Sequence, residues 1–233
     1  MGCVDLSCAM QKIAAFHMAF TDRLGYWEAY RGGGTDSAET ARFEFREGWQ
    51  TVYPSTIETV LLRVRLADGT IGWGEANTPI GPEVTALIGE RLLLPMVWDR
   101  IFTDLAALWD FLYNAQRGRG YATGYYLDAL AALDIALWDA LGLRAGLPVA
   151  ALLCETPREE IPSYLSGLRQ ATLDERIATM QHWADSGIQG IKIFLDGDLD
   201  AGVEELAALQ RAAGDRIDQW MVDTLWMCRG DTG

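Results

Sequence analysis

The 233-residue sequence is poor in the groups that bind zinc. It has two histidines, His17 and His182, and four cysteines, Cys3, Cys8, Cys154 and Cys228, with no C-x-x-C pair among them. That scarcity argues against a zinc site, whose ligands come in close pairs. It also supplies no disulfide framework, and scattered cysteines fit a reducing cytoplasm. Positive charge is scarce too: 19 Lys and Arg face 33 Asp and Glu, for a net charge of −14. Such a field repels phosphate backbones and anionic lipid, so neither nucleic acid nor a membrane is an expected partner. An anionic substrate would need a local cation to offset it. No run approaches the ~18 consecutive apolar residues of a membrane span. No cationic start followed by an apolar core marks a signal peptide. The opening MGCVDLS approaches a myristoylation pattern but has Leu6 where that pattern needs Ser or Thr. No fixed-period repeat appears.

What is present is a core. Half of the residues are hydrophobic and 22% are charged, so packed globular structure is expected. Residues 10–20 read as a first strand. Residues 21–55 are polar with Gly32, Gly33 and Gly34 at their centre, yet carry Tyr26, Trp27, Tyr30, Phe43 and Phe45. A long loop that aromatic suits a lid. Val60, Leu62, Val64 and Leu66 then alternate with Leu61, Arg63 and Arg65, and Asp68-Gly69 gives a turn before Ile71, Trp73 and Glu75. This is a hairpin. Helical patterns follow over 82–94, 99–115 and 121–142. Between the last two, QRGRGYATG places Gly118, Gly120 and Gly124 at the wrong spacing for a dinucleotide loop.

The rhythm changes near residue 158. Strand patterns at 160–167, 190–195 and 219–226 alternate with helices at 172–185 and 199–213, and Thr172 with Glu175 forms a capping box. Such alternation implies a parallel sheet or barrel. The expected domains are 10–153 and 154–233.

Several residues stand out. Asp128, Asp134 and Asp139 lie on the helix that leads towards Cys154, where acids on an exposed face are the ordinary reading. Lys192 sits inside an apolar strand, where its charge needs either a partner or a route to solvent. On a barrel strand it would point to the mouth or interior, where barrel sites lie. Asp223 ends an apolar strand and would either bind a hard cation or cap a turn. Ser166 and Tyr164 end the preceding strand and would face a substrate or simply connect. Glu75 reads as a rim residue, and neither histidine has a partner at catalytic spacing.

In order, Ala129, Ala131, Ala132, Leu133, Asp134, Ala136, Leu137, Asp139, Gly142, Pro148, Val149, Leu152 and Leu153 resemble the signature helix of the mandelate racemase and muconate lactonizing enzyme family of the enolase superfamily. Leu143 replaces the usual cation and Cys154 the usual glycine. Gly190 to Phe194 resembles the family's second-strand K-x-K motif, with Lys192 kept and Phe194 in place of the second lysine. Asp223 matches the first of three acidic metal ligands, and Leu225 stands where Asn is usual.

The resemblance covers roughly residues 10–228. It implies an α+β N-terminal capping domain, an antiparallel sheet plus helices, followed by the first three βα units of an incomplete TIM-like (β/α) barrel. It also implies Mg²⁺-dependent removal of the proton alpha to a carboxylate. Lys192 would hold the substrate carboxylate beside Ser166 and Tyr164, and Asp223 would hold the metal. Phe194 cannot accept a proton, which disfavours cycloisomerase and dipeptide-epimerase chemistry. An acid-sugar dehydratase or racemase, with its base on another strand, is expected. A barrel needs about eight βα units, so the chain is expected to be truncated after the third strand and inactive alone. A non-catalytic lid-domain or assembly module is the alternative. The expected partners are a small carboxylate or sugar acid and further copies of the chain as a homo-oligomer, in the cytoplasm.

Overall fold

A computed structural model describes residues 12–20, 43–47, 50–54, 57–97, 100, 102, 104–195 and 198–225. Two compact units emerge, one of residues 1–21 with 57–157 and one of 22–56 with 158–233. The N-terminal strands are β1 (Lys12–Phe20), β2 (Phe43–Arg46), β3 (Thr51–Pro54), β4 (Ile57–Arg65) and β5 (Ile71–Ala76).

The first unit holds an antiparallel sheet in the order β1-β4-β5. Its registers run from Lys12↔Arg65 to Phe20↔Ile57 and from Val60↔Ala76 to Arg65↔Ile71. The expected hairpin is therefore β4–β5. Gly69 at φ 91° supplies the left-handed turn residue, and Asp68 Oδ1 accepts the Thr70 N–H at 2.8 Å. Alternation sends Val60, Leu62 and Val64 into the core.

The helices of this unit are α1 (Pro82–Ile88), α2 (Leu94–Val97), α3 (Leu105–Arg117), α4 (Tyr125–Ala145) and α5 (Val149–Leu153). The single helix expected over 82–94 is interrupted by a π-helical turn at Gly89–Leu93. Pro95 explains it: its ring would press on the carbonyl four residues back, and a wider turn relieves that clash. The helix expected from 99 starts later, because the Asp104 side chain accepts the Ala107 N–H at 2.7 Å and caps α3 there.

Helix α4 is the centre of this core. Leu130, Leu133, Leu137 and Leu141 are buried along it with Ala129, Ala132, Ala136 and Ala140. It lies so close to β5 that its backbone touches the strand's glycines. A Cβ on Gly74 would stand 1.9 Å from the Ala132 carbonyl oxygen, and one on Gly72 would stand 2.1 Å from that of Ala136. The run Gly72-Trp73-Gly74 is thus a seat for α4. Asp139 fastens it, accepting the Trp73 backbone N–H on Oδ2 at 2.9 Å. Gly146, left-handed at φ 64°, ends the helix with N–H bonds back to Gly142 and Leu143.

The second unit corrects one sequence reading. Residues 43–54, taken as part of a loop, form the hairpin β2–β3 with Phe43 opposite Pro54 and Arg46 opposite Thr51. The alternation Phe43-Glu44-Phe45-Arg46 was its only local signal. Residues 21–42 lie outside the described residues.

The unit continues with β6 (Tyr164–Ser166), α6 (Leu173–Asp185), β7 (Gly190–Phe194), α7 (Leu199–Ala213) and β8 (Gln219–Asp223). β6, β7 and β8 form a parallel sheet in that order. β6 is shorter than the run 160–167 suggests, and Pro162, which has no N–H to give a ladder, precedes it. The capping box at Thr172 and Glu175 is formed. Ile191, Ile193 and Leu195 pack with Met180 of α6 and with Leu209, Ala213 and Ile217. The Arg176–Glu205 ion pair joins α6 to α7.

Candidate active site

In a parallel ladder, paired residues share a face and successive residues alternate between faces. Ile191 and Ile193 enter the core beneath α6 and α7. Lys192 and Phe194 therefore lie on the opposite face. The register carries the same face across the sheet: Ser166 pairs with Lys192 and Lys192 with Met221, while Phe194 pairs with Asp223. Tyr164 shares the face through Gly190, where an added Cβ would meet the Tyr164 Cβ at 3.0 Å. The four residues expected from sequence at the substrate and metal site, Tyr164, Ser166, Lys192 and Asp223, stand on one face of one sheet.

Two of them touch. Lys192 Nζ lies 3.3 Å from Asp223 Oδ2, with the side chains 24% and 36% exposed. Asp223 Oδ1 accepts the Leu225 backbone N–H at 2.9 Å, so the aspartate both pairs and caps its turn. Leu225 has φ 49°, a left-handed conformation that Asn adopts more readily than Leu. The Lys192 ammonium also sits 4.7 Å from the Phe194 ring centroid, a cation–π contact. Sequence reading treated Phe194 only as a missing base, although its i+2 spacing from Lys192 already put ring and ammonium on one face. Ser166 is exposed and Tyr164 is 50% exposed.

The donor set does not fit a magnesium ion. Mg²⁺ takes about six oxygens in near-octahedral order. Asp223 offers one carboxylate, already held by an ammonium and an N–H. Among the described residues, no group of three or more His, Cys, Asp or Glu side chains could hold a metal ion.

The remaining candidates have other roles. Glu75 accepts the Thr59 hydroxyl at 2.7 Å across the hairpin. Burial pushes the Asp128 and Asp134 carboxyls above the usual aspartate range. His182 is exposed and stands edge-on to Trp183. Cys154 is free and exposed, and the side chains of His17, Cys3, Cys8 and Cys228 lie outside the described residues.

Comparison with known proteins places the fold in a family. The model of the mandelate racemase / muconate lactonizing enzyme N-terminal domain matches residues 45–154. L-rhamnonate dehydratase of Saccharopolyspora erythraea is 31% identical over 189 residues, 79% of this chain and 45% of that protein. D-galactarolactone cycloisomerase of Agrobacterium fabrum is 30% identical over 166 residues, 66% of this chain and 41% of that protein. A crystal structure of a member of the enolase superfamily from Agrobacterium tumefaciens matches with a TM-score of 0.82 and 33% identity, covering 93% of this chain and 55% of that one. The chain spans about half the length of the relatives it matches. By its signature helix, its antiparallel and parallel sheets and these matches, the chain belongs to the mandelate racemase and muconate lactonizing enzyme family of the enolase superfamily.

Proposed function

We propose that the chain carries the carboxylate-binding part of a site that removes the proton alpha to a carboxylate, of acid-sugar dehydratase or racemase type. The observation that supports this most is the placing of Lys192, a partly exposed ammonium on the face of the parallel sheet opposite α6 and α7, beside Ser166 and Tyr164. An ammonium has three N–H donors. One bond to Asp223 leaves capacity for a substrate carboxylate.

Removal of the alpha proton puts two negative charges on the oxygens of the resulting enolate. A fixed ammonium beside those oxygens stabilises that state more than the ground state. The Ser166 hydroxyl and the Tyr164 phenol would orient the hydroxyls of a sugar acid. Phe194 has no basic atom, so the base is proposed to come from another strand.

On this reading β6, β7 and β8 are the first three strands of a TIM-like barrel, and the first unit is the family's capping domain. The metal that the family implies needs oxygen donors beyond Asp223, so no metal step is assigned to these residues. We propose that the 233 residues are inactive by themselves. A reducing cytoplasm is proposed from the cysteine usage, and self-association from β6 and β8, the outer strands of the described sheet. No helix among the described residues is long and apolar enough to cross a membrane.

The test is a panel of sugar acids offered to the chain completed to full barrel length with the remaining segment of a relative. Mass spectrometry would detect loss of water or deuterium uptake at the alpha carbon. Turnover that disappears with Lys192→Met is expected. Turnover that survives Lys192→Met would overturn the reading. A stable oligomer that shows no turnover would favour the assembly module.

A further inference from the structure

Among the described residues, the two charged groups on the face of the parallel sheet opposite α6 and α7 are already engaged from within the chain. Asp223 Oδ2 has the Lys192 ammonium at 3.3 Å and Oδ1 has the Leu225 N–H at 2.9 Å. The ammonium has the carboxylate on one side and the Phe194 ring, 4.7 Å away, on another. We infer that Lys192 is the resident cation of Asp223: it occupies the place at this carboxylate that a divalent cation would need, and Phe194 is the positioning residue that keeps it there. The inference rests on the reading of this face as a ligand site, but on no particular reaction.

The physical reason is competition for one anion. A divalent cation approaching Asp223 would have to displace the ammonium and would then sit against an unpaired like charge at close range. The low exposure of the lysine makes that repulsion less screened than it is on an open surface. Phe194 adds to the barrier in a way that an aliphatic residue would not. Its ring face attracts the ammonium through the ring quadrupole, and its position two residues along the same strand fixes the ring on the same side as the lysine stem. Removal of the ammonium should therefore expose a latent cation site, and loss of the ring should expose it partly.

Met221 is the natural reporter. It pairs with Lys192 in the register and lies two residues before Asp223. The test is methyl-¹³C-methionine NMR of the full chain titrated with Mn²⁺, following paramagnetic broadening of the Met221 methyl line. Broadening that depends on Asp223 is expected at a Mn²⁺ concentration at least about tenfold lower in Lys192→Gln than in the wild type. It should be absent from the double variant with Asp223→Asn. Lys192→Arg, which keeps the charge, should behave as the wild type, and Phe194→Leu should fall between. Equal broadening in wild type and Lys192→Gln, or broadening in Lys192→Gln that persists without Asp223, would overturn the inference. Should Lys192→Gln fail to fold, Phe194→Leu decides: a threefold or greater gain over the wild type supports the inference and no gain overturns it. No substrate is present, so the outcome is independent of whether the face accepts a sugar acid.

Discussion

The sharpest structural prediction concerns Gly74. In Gly74→Ala the new methyl would stand 1.9 Å from the Ala132 carbonyl oxygen and 2.7 Å from the Ala136 nitrogen. Comfortable non-bonded separations are about 3.5 Å, so α4 must withdraw from β5 by roughly 1–1.5 Å. Both obstacles are helix backbone, which cannot swing aside as a side chain does. Overpacking of this kind costs roughly 1–3 kcal/mol, and the rigid helix places Gly74 at the upper end. Loss of glycine's freedom in the unfolded chain returns about 0.4–1 kcal/mol. The net expectation is a loss of about 2–2.6 kcal/mol, equivalent to roughly 5–10 °C in the melting temperature of a domain this size. Thermal unfolding followed by circular dichroism measures it. Gly118→Ala is the control. Gly118 has φ −64° and nothing within 4 Å of its added Cβ, so that variant should melt at or slightly above the wild type. A Gly74→Ala chain that melts within ~1 °C of the wild type would show that the glycine run does not seat the helix.

Other expectations follow from single residues. Leu225→Asn should be more stable in urea than Leu225→Ala by about 1 kcal/mol, because both lose the leucine but only Asn tolerates the left-handed backbone; equal midpoints would contradict this. Thr172→Ala should lower stability by about 1 kcal/mol through loss of the α6 cap, and an unchanged urea midpoint would count against it. Burial raises the folded-state pKa of Asp134. The stability it contributes is therefore full below the ordinary aspartate pKa and is lost as pH rises through the raised value. Asp134→Asn should gain on the wild type as pH rises above the ordinary aspartate pKa of about 3.9, and a difference that stays constant with pH would refute the assignment.

Much of the fold was legible because local chemistry and tertiary packing agreed. The β4–β5 hairpin had both alternation and Asp68-Gly69, and β7 had an unbroken apolar run flanked by helices. The α7 range was read without error, from a pattern that ends at Gly214. Where a long-range or backbone effect decided the outcome, sequence reading fell short. The π turn depends on how Pro95 meets its own helix, and the β2–β3 hairpin had no Asn-Gly or Asp-Gly turn to announce it. The role of Asp139 was hidden for the same reason: its partner is a backbone N–H 66 residues away. At the candidate site, the residue types were readable in Lys192 and Asp223, but their contact was not. Strand periodicity gives the face of each residue, whereas the relative stagger of β7 and β8 puts Phe194 opposite Asp223 and brings the two charges together.

The central claim is that the Lys192 ammonium presents a carboxylate-binding group on the face of the parallel sheet opposite α6 and α7. The most direct measurement is titration of the isolated chain with a six-carbon aldonate, followed at the Met221 methyl resonance, in the wild type and in Lys192→Gln. A saturable shift in the wild type, weakened at least about tenfold by Lys192→Gln as expected for loss of a charge-assisted hydrogen bond, is the predicted result. A wild-type chain whose Met221 line does not respond, or a Lys192→Gln chain that binds equally well, would contradict it.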